Sequence, residues 1–171
     1  MFDTLVAWIR EYFEKFWPIE WVRPWERGVI IHGSWTREVG PGFFLRVPLA
    51  GEIVKVGVKP ETADCETQYA ISQDGTPWLV SISLLYEVDD VVTALIMTGD
   101  HLASLVVEAQ GIVAKWINQS SDEHITIERL RESCSRSIKY EAKRWGLKVE
   151  RLSCNNLSQA PVVRLVIDKD A

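Results

Sequence analysis

Residues 66–90, ETQYAISQDGTPWLVSISLLYEVDD, decide the fold. Asp74-Gly75 stands between two β-rich arms, and an Asp-Gly pair in that setting reads as a hairpin, because a primed turn needs positive φ that glycine adopts without steric cost. On the second arm Trp78, Val80, Ile82, Leu84, Tyr86 and Val88 alternate with Leu79, Ser81, Ser83, Leu85 and Glu87. A period of two predicts a strand with one strongly apolar face. The closing Glu87, Asp89 and Asp90 could bind a divalent cation, but carboxylates before a helical pattern serve first as a solvated turn and an N-cap favoured by the helix dipole.

Downstream of the hairpin the hydrophobic period becomes helical. Val91 to Met97 predicts a short helix. Asp100 can cap a longer one whose buried stripe would be Leu102, Leu105, Val106, Ala109, Ile112 and Trp116. After the polar break NQSSDEH, Thr126 can cap a third helix carrying Ile127, Leu130, Cys134, Ile138, Ala142 and Trp145 on one side, with Gly146 as its stop. Leu147 to Cys154 and Val162 to Ile167 predict two last β runs. Upstream, Val29-Ile30-Ile31, Phe43 to Val47 after the Gly40-Pro41-Gly42 turn, and Ile53 to Val58 predict short strands. Strands, then helices, then returning β make the class α+β around one core.

The N-terminus has a different character. Phe2, Leu5, Val6, Ile9, Phe13, Phe16 and Trp17 recur at three- and four-residue steps, with Asp3, Arg10, Glu11, Glu14 and Lys15 mostly opposite. This predicts an amphipathic, aromatic-rich helix that Pro18 ends. Trp8, Trp17, Trp21 and Trp25 suit a headgroup-level belt, where an apolar ring carries one polar N–H. Residues 1–25 are therefore expected to face a membrane or partner through Phe2, Leu5, Trp8, Ile9, Phe13, Phe16, Trp17, Trp21 and Trp25, with residues 26–171 as the domain proper. The other reading packs the helix on its own domain or on a neighbouring subunit, because its slightly acidic polar face lacks the lysines that favour anionic lipid.

Composition excludes several classes. With 171 residues, 47% of them hydrophobic, the chain can bury one sizeable core. A net charge of −5 argues against an electrostatic nucleic-acid binder. The charges between Met1 and Trp17 break any secretory signal, and no charge-free stretch reaches the roughly 18–20 residues of a spanning helix. Cys65, Cys134 and Cys154 lie in no ligand-like spacing and read as buried thiols in a reducing compartment. His32, His101 and His124 are equally dispersed. There is no GxSxG elbow around Ser34, no phosphate loop and no GxGxxG fingerprint. Asn118-Gln119-Ser120 matches a glycosylation sequon but reads as a polar loop. No catalytic residue, cofactor, metal or small-molecule substrate is expected.

Three stretches in order resemble one family. ERGVIIHGSWTREVGPGFFLRVPLAGEIVKV is similar to the opening of the SPFH domain, also called the band-seven or prohibitin-homology domain, of stomatins, prohibitins and flotillins. SQDGTPWLVSISLLYEVDD resembles its central hairpin. RLRESCSRSIKYEAKRWGLKVERLSCNNL resembles its late helix, with Trp145-Gly146-Leu147 at the helix-to-strand transition. The resemblance covers residues 26 to 157. It implies side-by-side association into rings or arrays on a membrane, with no catalytic centre. Family members usually continue into a coiled coil, and no heptads follow here. The aromatic helix stands where a membrane hairpin would be.

The expected function is a non-enzymatic oligomeric scaffold, peripheral on the cytoplasmic side of a membrane or on a larger particle, virion-associated if of phage origin. Arg131, Arg136, Lys139, Lys143 and Arg144 on the late helix are candidate contacts between copies. The alternative is a monomeric binding module regulating a membrane protease or other membrane enzyme. A hydrolase is the third reading.

Overall fold

The alternation of Trp78 to Val88 is realised as the longest strand of the hairpin and the centre of the molecule. In the computed structural model, which describes residues 19–45, 51–97 and 100–160, every member of that set is buried. The elements run β1 (Ile19–Val22), β2 (Glu26–His32), β3 (Trp35–Val39), β4 (Gly42–Leu45), β5 (Glu52–Gly57), β6 (Glu61–Asp64), β7 (Gln68–Ile71), β8 (Pro77–Val88), α1 (Val91–Met97), α2 (His101–Asn118), a 3-10 turn (Asp122–His124), α3 (Ile127–Arg144) and β9 (Leu147–Gln159). All strand pairs are antiparallel. This is the α+β architecture expected from the sequence. The aromatic helix predicted over 2–17 and the β run 162–167 lie outside the described residues.

Strand β8 pairs with β6 and β7 along one flank and with β9 along the other. The hairpin is present, but its turn differs from the primed one expected. The Gly75 N–H donates to the Ser72 carbonyl at 3.0 Å, the Ser72 N–H donates to the Thr76 carbonyl at 2.9 Å, and Gly75 has φ +84°. The loop is thus the three residues Gln73, Asp74 and Gly75, with the left-handed position on the glycine, the geometry of a type I turn followed by a bulge.

Strand β9 is the single continuation of the predicted 147–154 run. LKVERLSCNNL does not alternate cleanly, and two bulges explain it. The register skips Glu150 between Val149 and Arg151, and skips Asn155 between Cys154 and Asn156. The first skip reverses the parity of the strand, so Leu147 and Val149 are buried from odd positions and Leu152 from an even one.

Helices α2 and α3 cover this sheet. Helix α3 buries Leu130, Cys134, Ile138 and Ala142, four of the expected six. Helix α2 buries Leu105, Ala109, Val113 and Ile117, a stripe rotated from the expected one. Leu102, Val106, Ile112 and Trp116 are half-buried instead, because α2 packs on β7 and α3 at once and these residues flank the line of closest approach. Each fully buried aliphatic side chain contributes roughly 1.5–3 kcal/mol of transfer free energy. Asp100 and Thr126 cap the two helices, accepting hydrogen bonds from the Ala103 and Arg129 N–H groups.

A three-stranded sheet, β3-β2-β5, and a two-stranded ribbon, β1-β4, complete the fold. Val29 joins the main core, and Ile31, Val56 and Val58 pack against it. The ribbon is attached through the inner face of β1, where Val22 is fully buried and Glu20 forms an ion pair with Lys55 of β5 at 2.6 Å.

Candidate docking surface

Because β1 points Glu20 and Val22 inward, its period of two points Ile19 and Trp21 outward. Strand β4 adds Phe43, the register partner of Trp21. The two rings stack with centroids 6.0 Å apart and planes 19° from parallel. Ile19, Trp21 and Phe43 are 45%, 51% and 75% exposed. An indole and a phenyl ring held rigidly by a β ladder, open to solvent beside an isoleucine, form a surface that is costly to leave in water and ready to bury.

Trp25 follows on the turn between β1 and β2. Its carbonyl accepts the Val58 N–H at 3.0 Å, which seats the turn beside the end of β5. The indole is flanked by two cations, with Lys59 Nζ 4.6 Å and the Arg23 guanidinium carbon 5.7 Å from the ring centroid. Of the nine residues expected to dock, the structure thus describes Trp21 and Trp25, both exposed. Phe2, Leu5, Trp8, Ile9, Phe13, Phe16 and Trp17 lie outside the described residues. Strand β1 pairs with β4 across the boundary drawn between residues 25 and 26.

Sequence reasoning missed Ile19, Phe43 and Lys59 as members of this surface. The alternation in Ile19-Glu20-Trp21-Val22 was the available signal for the first. The pairing of β1 with β4, some twenty residues later, has no local signal.

The candidate contacts on α3 are all exposed. Arg131, Arg136 and Lys139 line one shallow groove together with Glu132 and Ser135. Arg144 is held by Glu141 at 2.8 Å, an exposed pair of little net stability. Between α2 and α3 runs a cleft of ≈ 450 Å³ lined by Ile112, Trp116, Lys115, Ser137 and Glu141, with Cys134 among its walls. Burial pushes the Cys134 thiol up to about 12, so near neutral pH it is a protonated thiol and a poor nucleophile. Burial likewise pushes Cys65 up to about 11, with the Asp64 charge adding to it.

The acidic EVDD stretch is structural. Asp90 caps α1, accepting from the Thr93 N–H at 3.0 Å and the Thr93 hydroxyl at 2.7 Å. Glu87 pairs with Lys148, its register partner on β9, at 2.5 Å. No group of three or more His, Cys, Asp and Glu among the described residues is placed to hold a metal ion. No described helix is long and apolar enough to cross a membrane.

Residues 21–169 match the SPFH domain / Band 7 family. The chain belongs to this family. The SPFH domain therefore includes β1 from Trp21 onward and everything described after it. Among its relatives are an uncharacterized protein of Archaeoglobus fulgidus, 26% identical over 153 residues, and stomatin homologs of Pyrococcus abyssi and Pyrococcus horikoshii, 24% and 27% identical. The alignments cover 88%, 90% and 77% of this chain, but 61%, 58% and 50% of the relatives. The chain thus spans between half and about three-fifths of their length. SPFH and stomatin-like proteins are in general not enzymes, and the family suggests association with membranes.

Proposed function

We propose that this SPFH domain is a non-enzymatic scaffold subunit, peripheral on the cytoplasmic side of a membrane or on a larger protein assembly, which associates laterally with copies of itself. The observation that carries the reading is the open aromatic face of the β1–β4 ribbon. Ile19, Trp21 and Phe43 have no partner that covers them among the described residues, and the aromatic residues 2–17 lead directly into β1. The stomatin homologs among its relatives agree with this class of role. Docking through residues 1–25 and the ribbon would set the subunit's orientation, leaving the basic groove of α3 open to a neighbouring copy. Modest contacts suffice in an array, because each added subunit raises the effective concentration of the next.

The test is the absolute mass of the full chain by light scattering, with and without mild detergent, together with flotation on lipid vesicles. A discrete mass well above the 19.5 kDa subunit in both conditions, with flotation lost in a Trp8→Ser/Phe13→Ser/Trp17→Ser variant that stays folded, supports the scaffold. A monomer in both conditions shifts the reading to a binding module that holds one membrane enzyme per copy. A triple variant that unfolds would place the 2–17 segment in the core and end the docking idea.

A further inference from the structure

We propose that Trp25, Arg23 and Lys59 form a headgroup clamp that gives the docking face a preference for anionic phospholipid. The inference rests on the membrane reading above and adds the lipid class to it. From the N-terminal segment alone the opposite is expected, since its polar face is slightly acidic. The fold changes this by carrying a cation from the end of β5 to the β1–β2 turn. The Val58 N–H bond to the Trp25 carbonyl fixes that approach and leaves Lys59 Nζ over the indole. Arg23 reaches the same ring.

Three features make this a site for an anion at a membrane surface. First, Arg23, Trp25 and Lys59 are all exposed, and among the described residues neither cation makes an ion pair with a carboxylate. The carboxylates closest along the chain are already engaged: Glu20 by Lys55 at 2.6 Å, Glu26 by the Arg23 backbone N–H at 3.2 Å, and Glu61 by the Tyr86 hydroxyl at 3.4 Å. Second, the indole orders both cations without neutralising them, so a phosphate meets two preorganised charges rather than two flexible chains. Third, the clamp adjoins the apolar face. Trp25 lies four residues after Trp21, so their Cα atoms are at most about 14 Å apart. A headgroup at the clamp thus lies within reach of a face suited to the acyl boundary, an arrangement a free phosphate would not use.

The experiment compares flotation of the full chain on vesicles of phosphatidylcholine alone and of phosphatidylcholine with phosphatidylserine. The variants are Arg23→Gln/Lys59→Gln and, as a charge-matched control on the helices, Lys115→Gln/Arg129→Gln. A Lys or Arg near an anionic surface is worth about fivefold in binding, so two should give roughly thirtyfold. The expected result is tighter binding to the anionic vesicles, lost by about that factor in Arg23→Gln/Lys59→Gln and kept in the control, with residual binding to neutral vesicles unchanged. Lys59→Arg should retain the preference. Millimolar inorganic phosphate should compete no better than its ionic strength explains.

Equal binding to both vesicle types, or equal loss in the control pair, overturns the clamp while leaving the peripheral reading intact. Inhibition by phosphate beyond the salt effect would make it a free-anion site and overturn the lipid assignment. Absence of binding to any vesicle removes the membrane reading and the clamp together.

Discussion

At Gly146 the backbone passes from α3 into β9 with φ +70°, and its carbonyl accepts the N–H groups of Asp89 and Asp90 at 2.9 and 3.0 Å. A Cβ there would collide with the Asp90 carbonyl oxygen and lie 2.9 Å from the Ala94 amide nitrogen. These are backbone atoms of the α1 start and cannot rotate away. The left-handed conformation costs a non-glycine residue about 1–2 kcal/mol, and forced overpacking adds about 1–3. Gly146→Ala is therefore expected to destabilise the domain by on the order of 3 kcal/mol, a fall in Tm of roughly 10 °C for a chain of this size. Thermal unfolding followed by circular dichroism checks it; a fall of a degree or two would mean that α1 can move aside. The stop signal was legible in the sequence. That the same glycine also seats α1 was not, because the contact joins residues more than fifty positions apart.

Between elements, the β7–β8 turn and the α2–α3 connection are clasped by one carboxylate. Asp122 accepts from the Thr76 hydroxyl at 2.5 Å and from the Trp78 indole N–H at 2.9 Å, while its own N–H donates to Asp74 at 2.7 Å. The Gln73 N–H donates to the Ser120 carbonyl at 3.0 Å beside them. Hydrogen bonds from Ser72, Thr76 and Trp78 hold Asp122 below its ordinary value of 3.8. A carboxyl depressed in the folded state stabilises above its unfolded pKa, and that contribution is lost as pH falls through the folded one. Stability of the wild-type chain should therefore decline from about pH 5 downward more steeply than that of Asp122→Asn, in which this titration is absent. Parallel acid slopes in the two proteins would show that the clasp carries no linkage. In the sequence Asp122 is one polar residue in NQSSDEH, and nothing local distinguishes it from its neighbours.

For the whole molecule, the basic face of α3 is the feature the lateral reading must use. Arg131, Arg136 and Lys139 project from one side of a helix whose other side is locked to the sheet by Leu130, Cys134 and Ile138. On a protein of net charge −5, such a face is complementary to acidic surface on another copy. Arg136→Glu/Lys139→Glu is expected to lower the assembled mass toward that of the subunit while leaving the circular dichroism spectrum unchanged. An unchanged mass would take these residues out of any contact between copies.

The sequence by itself determined the hairpin, the caps of α2 and α3, four of the six residues expected in the buried stripe of α3 and the α+β class, because periods of two and 3.6, the Asp-Gly pair and capping residues are written within a few positions of one another. It also carried enough ordered motif to point to the SPFH family. The tertiary structure alone decided that β1 pairs with β4 to expose Trp21 and Phe43 as a stacked pair, that the bulge at Glu150 returns Leu152 to the core, and that Lys59 comes to rest over Trp25. Each of these joins segments through backbone pairing or packing at long range. Such contacts depend on how the whole chain closes around its core, and local periodicity does not encode them.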